Sequence, residues 1–572
     1  MSLGARSLAK SLTGIGGLDS MTGGGLPTGR VTLVEGGPGA GKTLLALQSL
    51  VNGAQQYDEP GIFVAFEESA SRIKANAATF GWNLDSLQRK KLFFLDAKPT
   101  PDLVQAGAFD LGGMLAAIDA KARQIRAKRI VFDALDVVLT LLNDPEAERR
   151  EIYRLHEWLL DRGLTAIITA KAVVGGAPAP GSQLQFMVDC AIALSHHEVE
   201  GVSQRGLRIL KYRGSEFAEN RSPLVITSHG VEVAGLRRLA DGYLPVVTER
   251  VSSGVARLDT MLGGGYYRGA SILITGAPGT AKTTLCGAFV EAACQRGERA
   301  LFVSFDSDTG EIVRNLTSVN IRLERYRRRG LLRLTSARAG ASSAEVHFSH
   351  IKQMALEQRA RCLVIDPLSA VSRQGNQLTA NGVIERLTDW AKHEGITLLC
   401  SSLLDGLLPD AERSPIQIST IADTWIHLNY LVHGGERNRA LTIVKSRGTA
   451  HSNQVRELVL SGAGLTLTDV YTEGGAVLMG ALRWEKEQAA MADRQRQAAE
   501  SRRRLSELDK RTARLSAQKD ALEQALDATR GERASLGEVT ADLETVRRSG
   551  KASLRNLRRA DATPARKKKA RS

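Results

Sequence analysis

"GGPGAGKTLL" (residues 36–45) and "GAPGTAKTTL" (276–285) decide how this chain is read. Each follows a short apolar run, "VTLVEG" or "SILITG", and precedes a helical pattern. A glycine-rich turn between strand and helix lets backbone N–H groups surround phosphates, with the positive end of the helix behind them. In the first copy Gly37, Gly39 and Gly41 strip side chains from the turn. Lys42 reaches the outer phosphates, the Thr43 hydroxyl binds Mg²⁺, and Leu44 continues the cradle into the helix. The second copy keeps Gly276, Gly279, Lys282, Thr283 and Thr284 but carries Ala281 where the first has Gly41. A methyl group is tolerated there if Ala281 already has helical dihedrals, as a first helical residue would. ATP binding is therefore expected in both copies.

Working outward, "TGIGGLDSMTGGGLPTGR" from Thr13 aligns without gaps to "SGVARLDTMLGGGYYRGA" from Ser253. Leu18-Asp19 meets Leu258-Asp259, Gly23 to Gly25 meets Gly263 to Gly265, and Lys42 meets Lys282. Two whole domains are duplicated. In each half, apolar strand patterns alternate with helical ones. That order predicts an α/β fold of two tandem P-loop domains with parallel-sheet cores. The boundaries read as residues 1–243 and 244–483, then a coiled-coil helix over 484–548 and a basic tail over 549–572 expected to be disordered.

Four further sets of residues carry chemistry. Asp133 and Asp366 end the apolar strands "RIVFD" and "CLVID", where a carboxylate can serve the Mg²⁺ shell. Glu67 and Glu68 follow the strand "IFVAF" and are suited to orienting or deprotonating a water. The second half has Asp306 and Ser307 there, so the halves differ where hydrolysis is decided. Finally, "KYRGS" and "KSRGT" repeat Lys211 and Arg213 as Lys445 and Arg447, a spacing that fits a phosphate contact, delivered to a neighbouring subunit.

Composition excludes several classes. No apolar run is long enough to span a bilayer, so no membrane role is expected. The start is a poor secretory signal, and a cytoplasmic location is expected. The five cysteines form no Cys-x-x-Cys pair and read as buried reduced thiols. The adjacent His196 and His197 read as a strand end, their side chains on opposite faces. The net charge is +15, but Arg547 to Ser572 holds eleven Lys or Arg against one Asp, which is most of it. Before that tail, Leu508, Leu515, Leu522, Leu536 and Leu543 share one heptad position, while the alternate seam includes Thr512, Lys519 and Arg533. That pattern fits a weak or higher-order coiled coil.

From about Leu12 to Arg483 these features resemble the KaiC family, clock ATPases and autokinases of the RecA superfamily. The resemblance rests on the tandem halves, "GGGLPTGRVTLVEGGPGAGKT", the Phe-Glu-Glu strand end and the paired Lys-x-Arg-Gly-Ser/Thr. "ISTIADT" from Ile418 is similar to the family segment holding adjacent phosphorylated residues, here Ser419 and Thr420. The resemblance implies a homo-hexameric double ring with ATP and Mg²⁺ between subunits, and it admits a KaiB-like partner. It also implies that Glu67 and Glu68 activate water, that Asp306 stands where the kinase base belongs, and that the Lys-x-Arg pairs reach a neighbour's ATP. Ser307 departs from the pattern. The tail looks more like KaiC-type homologues outside cyanobacteria, and it offers a route to pairing chains. Two other readings stay open: a RecA-like DNA motor or recombinase using the basic tail, for which nucleic acid is the less favoured partner, and a non-kinase ATP-dependent scaffold.

Overall fold

The computed structural model describes residues 8–98, 111–142, 144–172, 183–199, 201–234, 247–372, 377–403, 421–433, 435–473 and 476–557. The first half contributes strands β1 (Val31–Gly36), β2 (Gly61–Ala65), β3 (Leu92–Asp96), β4 (Arg129–Asp133), β5 (Thr165–Lys171), β6 (Cys190–Val199), β7 (Val202–Tyr212), β8 (Ser222–Thr227) and β9 (Gly230–Val233). Its principal helices here are α1 (Lys42–Gln56), α2 (Leu111–Ile125) and α3 (Leu135–Leu142). The second half repeats them as β10 (Ser271–Gly276), β11 (Ala300–Ser304), β12 (Leu332–Ser336), β13 (Cys362–Asp366), β14 (Thr397–Leu403), β15 (Thr424–His433), β16 (Glu436–Ser446), β17 (Arg456–Ser461) and β18 (Gly464–Thr468). Helices α4 (Lys282–Gln295) and α5 (Ala344–Gln358) match α1 and α2.

Each half forms a nine-stranded sheet, in the order β9-β8-β7-β6-β1-β5-β4-β2-β3 and, for the second, β18-β17-β16-β15-β10-β14-β13-β11-β12. The duplication read from the sequence thus extends to every strand position. Six neighbouring strands per half run parallel, as their apolar runs predict. The remaining three make an antiparallel meander, so each sheet is mixed. The reason is the connection. β6 and β7 are joined by a two-residue link, which permits only an antiparallel partner, whereas a parallel one needs a long crossover.

Both faces of the parallel part are covered. Along β2, Phe63 and Ala65 pack with Leu45 and Leu50 of α1, while Ile62 and Val64 pack with Leu115 of α2. The second half divides likewise: Phe302 joins Phe289 of α4, and Leu301 and Val303 join Ile351 of α5. The repeated Leu-Asp pairs are structural. Asp19 accepts from the Thr13 and Gly14 amides at 2.8 and 2.9 Å, and Asp259 accepts from Ser253 N at 2.7 Å. A side chain on Gly25 or Gly265 would strike the carbonyl of Ser11 or Val251 at 2.2 or 2.3 Å, which accounts for glycine there in both halves.

Tyr471–Ser572 forms a separate unit. Its described part is a short hairpin, β19 (Tyr471–Glu473) and β20 (Ala476–Leu478), followed by one helix, α6 (Gly480–Leu557). The helix is 78 residues long, about 115 Å at 1.5 Å per residue. Its heptad leucines, Leu508 to Leu543, are exposed. All five cysteines are free and buried, as expected. Burial pushes the thiols of Cys190, Cys294 and Cys362 up to about 12. Among the described residues no helix is long and apolar enough to cross a membrane.

Candidate functional site

The site in each half lies where the central strand (β1 or β10) turns into its helix. Gly41 caps α1 with φ 100° and ψ 16°. Ala281 caps α4 with φ 80° and ψ 25°. The expectation of helical dihedrals at Ala281 is therefore corrected: it occupies the left-handed region, which costs an L-residue roughly 1–2 kcal/mol. The turn geometry is preserved in spite of the methyl group. The whole fold, not the local residue, holds it there.

The lysines follow the loop alike. Lys42 Nζ donates to Gly36 O at 2.7 Å and Gly37 O at 3.1 Å, and Lys282 Nζ donates to Gly276 O and Ala277 O, both at 2.8 Å. Burial lowers the affinity of both ammonium groups for their proton, and nearby acids oppose it. Leu44 and Thr284 sit half-buried in the first turn of each helix.

Asp133 and Asp366 are buried at the ends of β4 and β13. Thr43 Oγ1 lies 3.1 Å from each Asp133 carboxylate oxygen, and Thr169 Oγ1 donates to the same group at 2.7 Å. In the second half Thr283 and Ser401 donate to Asp366. Burial raises both carboxyl groups above their ordinary range, and these hydroxyls pull them back. A threonine hydroxyl beside a strand-end carboxylate is an all-oxygen donor set, which suits Mg²⁺. Thr43 with Asp133, and Thr283 with Asp366, are the residues that would hold it. Sequence reading missed Thr169 and Ser401, although both occupy the same position of the repeated strand β5 or β14.

The two adjacent glutamates part company. Glu67 Oε1 lies 3.9 Å from Lys171 Nζ and acts on Lys42, which keeps it at the loop. Glu68 accepts from Asn76 Nδ2 at 3.2 Å and pairs with Arg72 at 3.7 Å, on the helix that follows. Asp306, exposed, acts on Lys282 and Asp366. Lys171 and Asp136, which lie beside Glu67, were not found from the sequence. The repeat carried a signal, since the second half has Leu403 and Ser369 at those positions.

The Lys-x-Arg pair of the first half engages backbone of that half. Lys211 donates to Gln185 O at 2.8 Å, and Arg213 donates to Phe186 O at 2.7 Å. In the second half Arg447 lies 3.9 Å from Asp423. Six residues before each lysine, another arginine braces the glycine loop: Arg205 donates to Gly39 O at 3.0 Å and Arg439 to Gly279 O at 3.1 Å. Its repeated spacing was present in the sequence. His196 and His197 take different partners, Ser203 and Arg221, as opposite faces require. Ser419 and Thr420 lie outside the described residues.

Comparison with known proteins places these features. The family description "ATPase: KaiC" matches residues 11–238 and again 251–470. The chain is 38% identical over 526 residues to "Circadian clock protein KaiC2" of Synechocystis sp., covering 91% of this chain and 92% of that one. It is 36% identical over 473 residues to "Circadian clock oscillator protein KaiC" of Parasynechococcus marenigrum, covering 82% and 92%. With "Circadian clock oscillator protein KaiC" of Synechococcus elongatus it shares 35% over 480 residues, covering 83% and 92%.

Proposed function

Since the chain belongs to the KaiC family of ATPases, we propose that it is a ring-forming ATPase and serine/threonine autokinase acting in timing or signalling, with the two halves dividing the work. The observation that carries this reading is the asymmetry between duplicated sites. Both keep the loop, the lysine, the hydroxyl and the buried aspartate. Only the first keeps two glutamates after its second strand.

In the first half, a water oxygen bonds to the terminal phosphorus of ATP while the bond to the bridging oxygen breaks, and the water proton passes to Glu67. ADP and phosphate leave. In the second half, Asp306 takes the proton from Ser419 or Thr420, whose oxygen receives the phosphoryl group instead. Ser307 in place of a second acid weakens activation of water and favours transfer to protein. Bound Mg²⁺ would neutralise charge on the phosphate oxygens. Hexamers place each ATP between subunits, with Lys211, Arg213, Lys445 and Arg447 reaching the neighbour's phosphates. The names of its relatives support a part in circadian timing, and the family resemblance admits a KaiB-like partner.

The test pairs two measurements on the full chain. Changing Glu67 and Glu68 together to Gln is expected to abolish most phosphate release while nucleotide stays bound. Peptide mass analysis after incubation with Mg-ATP is expected to find phosphate on Ser419 or Thr420 that disappears in Lys282→Ala. Undiminished release in the first variant overturns the hydrolase assignment. An unmodified Ser419 and Thr420 in ATP-loaded protein overturns the kinase assignment.

A further inference from the structure

The two halves can be compared residue by residue beyond the family signature, because their strand registers coincide. Gly36 of β1 pairs with Lys171 of β5, and Gly276 of β10 pairs with Leu403 of β14. Lys171 and Leu403 therefore occupy the same place, one strand over from the first residue of the glycine loop. Likewise Asp136 and Ser369 each stand three residues after the buried strand-end aspartate. In the second half the Ser369 hydroxyl accepts the Leu403 amide at 3.0 Å. In the first half the Asp136 carboxylate accepts the matching amide of Lys171. The backbone duty of this position is thus common to both halves, and an uncharged hydroxyl suffices for it.

What the first half adds is charge. Lys171 Nζ lies 3.9 Å from Glu67 Oε1 and 4.0 Å from Asp136 Oδ2. It sits between the two carboxylates at ion-pair range, beyond a direct hydrogen bond. Lys171 and Glu67 are each about 60% exposed, so their attraction adds little to stability. Asp136 is different. It is 7% exposed, and its Oδ1 is buried without a hydrogen-bond partner among the described residues. Leaving such an oxygen unsatisfied carries a desolvation cost that serine avoids in the second half. A buried polar group at such a position calls for an explanation.

We infer that Lys171 and Asp136 are a positioning pair confined to the first half, with buried Asp136 fixing Lys171 and Lys171 fixing Glu67 at the mouth of the glycine loop. Glu67 follows β2 in an exposed turn, where Lys171 is its ion-pair partner and Lys42 also attracts its carboxylate. A base in such a turn samples many rotamers, and holding it in one geometry supplies part of its rate contribution. The lysine keeps the glutamate facing the loop, while Asp136 keeps the lysine from folding away toward solvent. The pair transfers no proton itself. The second half, with Leu403 and Ser369, lacks this means of holding a base toward water. The inference rests on the proposed hydrolysis in the first half and extends it to two residues outside the family signature.

The test uses the full chain with the residues that the second half already tolerates: Lys171→Leu, Asp136→Ser, and Lys171→Arg as the conservative control. Three quantities are read: the phosphate-release rate at saturating Mg-ATP, the affinity for a fluorescent ATP analogue, and the thermal midpoint without nucleotide. Lys171→Leu and Asp136→Ser are each expected to slow release about tenfold, a portion of the 10²–10⁴ that a positioned base supplies. Analogue affinity should change less than about threefold, and Asp136→Ser should not lower the midpoint, because the hydroxyl still accepts the Lys171 amide. Lys171→Arg should recover much of the rate. Added to Glu67→Gln, Lys171→Leu should have no further effect, since both act through one carboxylate. Full activity in Lys171→Leu and Asp136→Ser, alongside a dead Glu67→Gln, overturns the pair but leaves the hydrolase reading intact. So does a loss of analogue affinity that matches the loss of rate. Undiminished release in Glu67→Gln overturns the hydrolase reading and the pair with it.

Discussion

Ala281 shows what a single residue can and cannot alter. Its sequence position suggests a damaged loop, yet its φ of 80° places it in the same left-handed region as Gly41 at 100°. A Cβ on Gly41 would meet Ile226 Cδ1 at an ordinary 3.4 Å, so space is not what demands glycine in the first half. The cost is the backbone conformation alone. Ala281→Gly is therefore expected to stabilise the protein by about 1 kcal/mol, and Gly41→Ala to destabilise it by a similar amount. Midpoints of urea unfolding measure both, and nucleotide binding should survive each change. Equal midpoints across the set would show that the strain has been relieved elsewhere. The neighbouring glutamates make a second residue-scale point. Adjacent positions past a strand end need not face one way, and the contacts of Glu68 with Asn76 and Arg72 leave Glu67 as the acid at the loop.

At the scale of elements, α2 and α5 are equivalent helices of 15 residues each that cover the same face of their sheets. Their chemistry has diverged. Met114 packs against the core of the first half, and the matching position of the second is His347. His347 is buried, its ring edge-on to Phe305 at 5.1 Å and its Nε2 3.0 Å from Ala339 O. Burial lowers its affinity for a proton, and the Ala339 carbonyl only partly opposes this. The unfolded chain therefore binds a proton more readily than the folded one. Stability from this group is complete above the ordinary imidazole range and declines as pH falls through it. His347→Met should lessen the loss of thermal midpoint between pH 7 and about pH 5.5, by no more than one proton's worth, about 1.4 kcal/mol per pH unit. An acid-side decline as steep as that of the unaltered protein would exclude His347 as a contributor.

For the whole molecule, the proposed hexamer is tested at the boundaries between its chains. Lys211 and Arg213 hold carbonyl oxygens around Gln185 to Met187 of their own half, which fixes them as a rigid pair rather than mobile surface cations. That rigidity suits delivery of charge across a boundary. Subunits carrying Arg213→Ala and subunits carrying Lys42→Ala are each expected to be nearly inactive in the first half. An arginine supplied in trans is worth about 10³–10⁵ in related phosphoryl-transfer systems. Mixing the two should restore part of the phosphate release, because some interfaces then combine an intact loop with an intact arginine. Mixed assemblies that form but stay inactive would place Arg213 in its own subunit's structure instead. Within one chain the halves also touch directly: Glu232 at the end of the first sheet binds Lys352 and Ser349 of α5, and Gln353 of the same helix meets His229 at 2.8 Å.

The sequence by itself determined the duplication, the two loops, the strand-end aspartates, the parallel strands and the buried thiols. All of these are written in local patterns, apolar runs and glycine spacing, that repeat within one chain and so confirm each other. The antiparallel meander was not read from the sequence, since apolar runs do not state strand direction; the two-residue β6–β7 link sets it. Tertiary structure decided what depends on residues distant in sequence meeting in space. It set Ala281 in a left-handed turn, because the strand and helix on either side fix that geometry whatever residue fills it. It also drew Lys171 and Asp136 beside Glu67, three residues from three elements. No periodicity encodes that meeting, because it follows from the order of strands in the sheet, and charge at one of its members has meaning only once the others are in place.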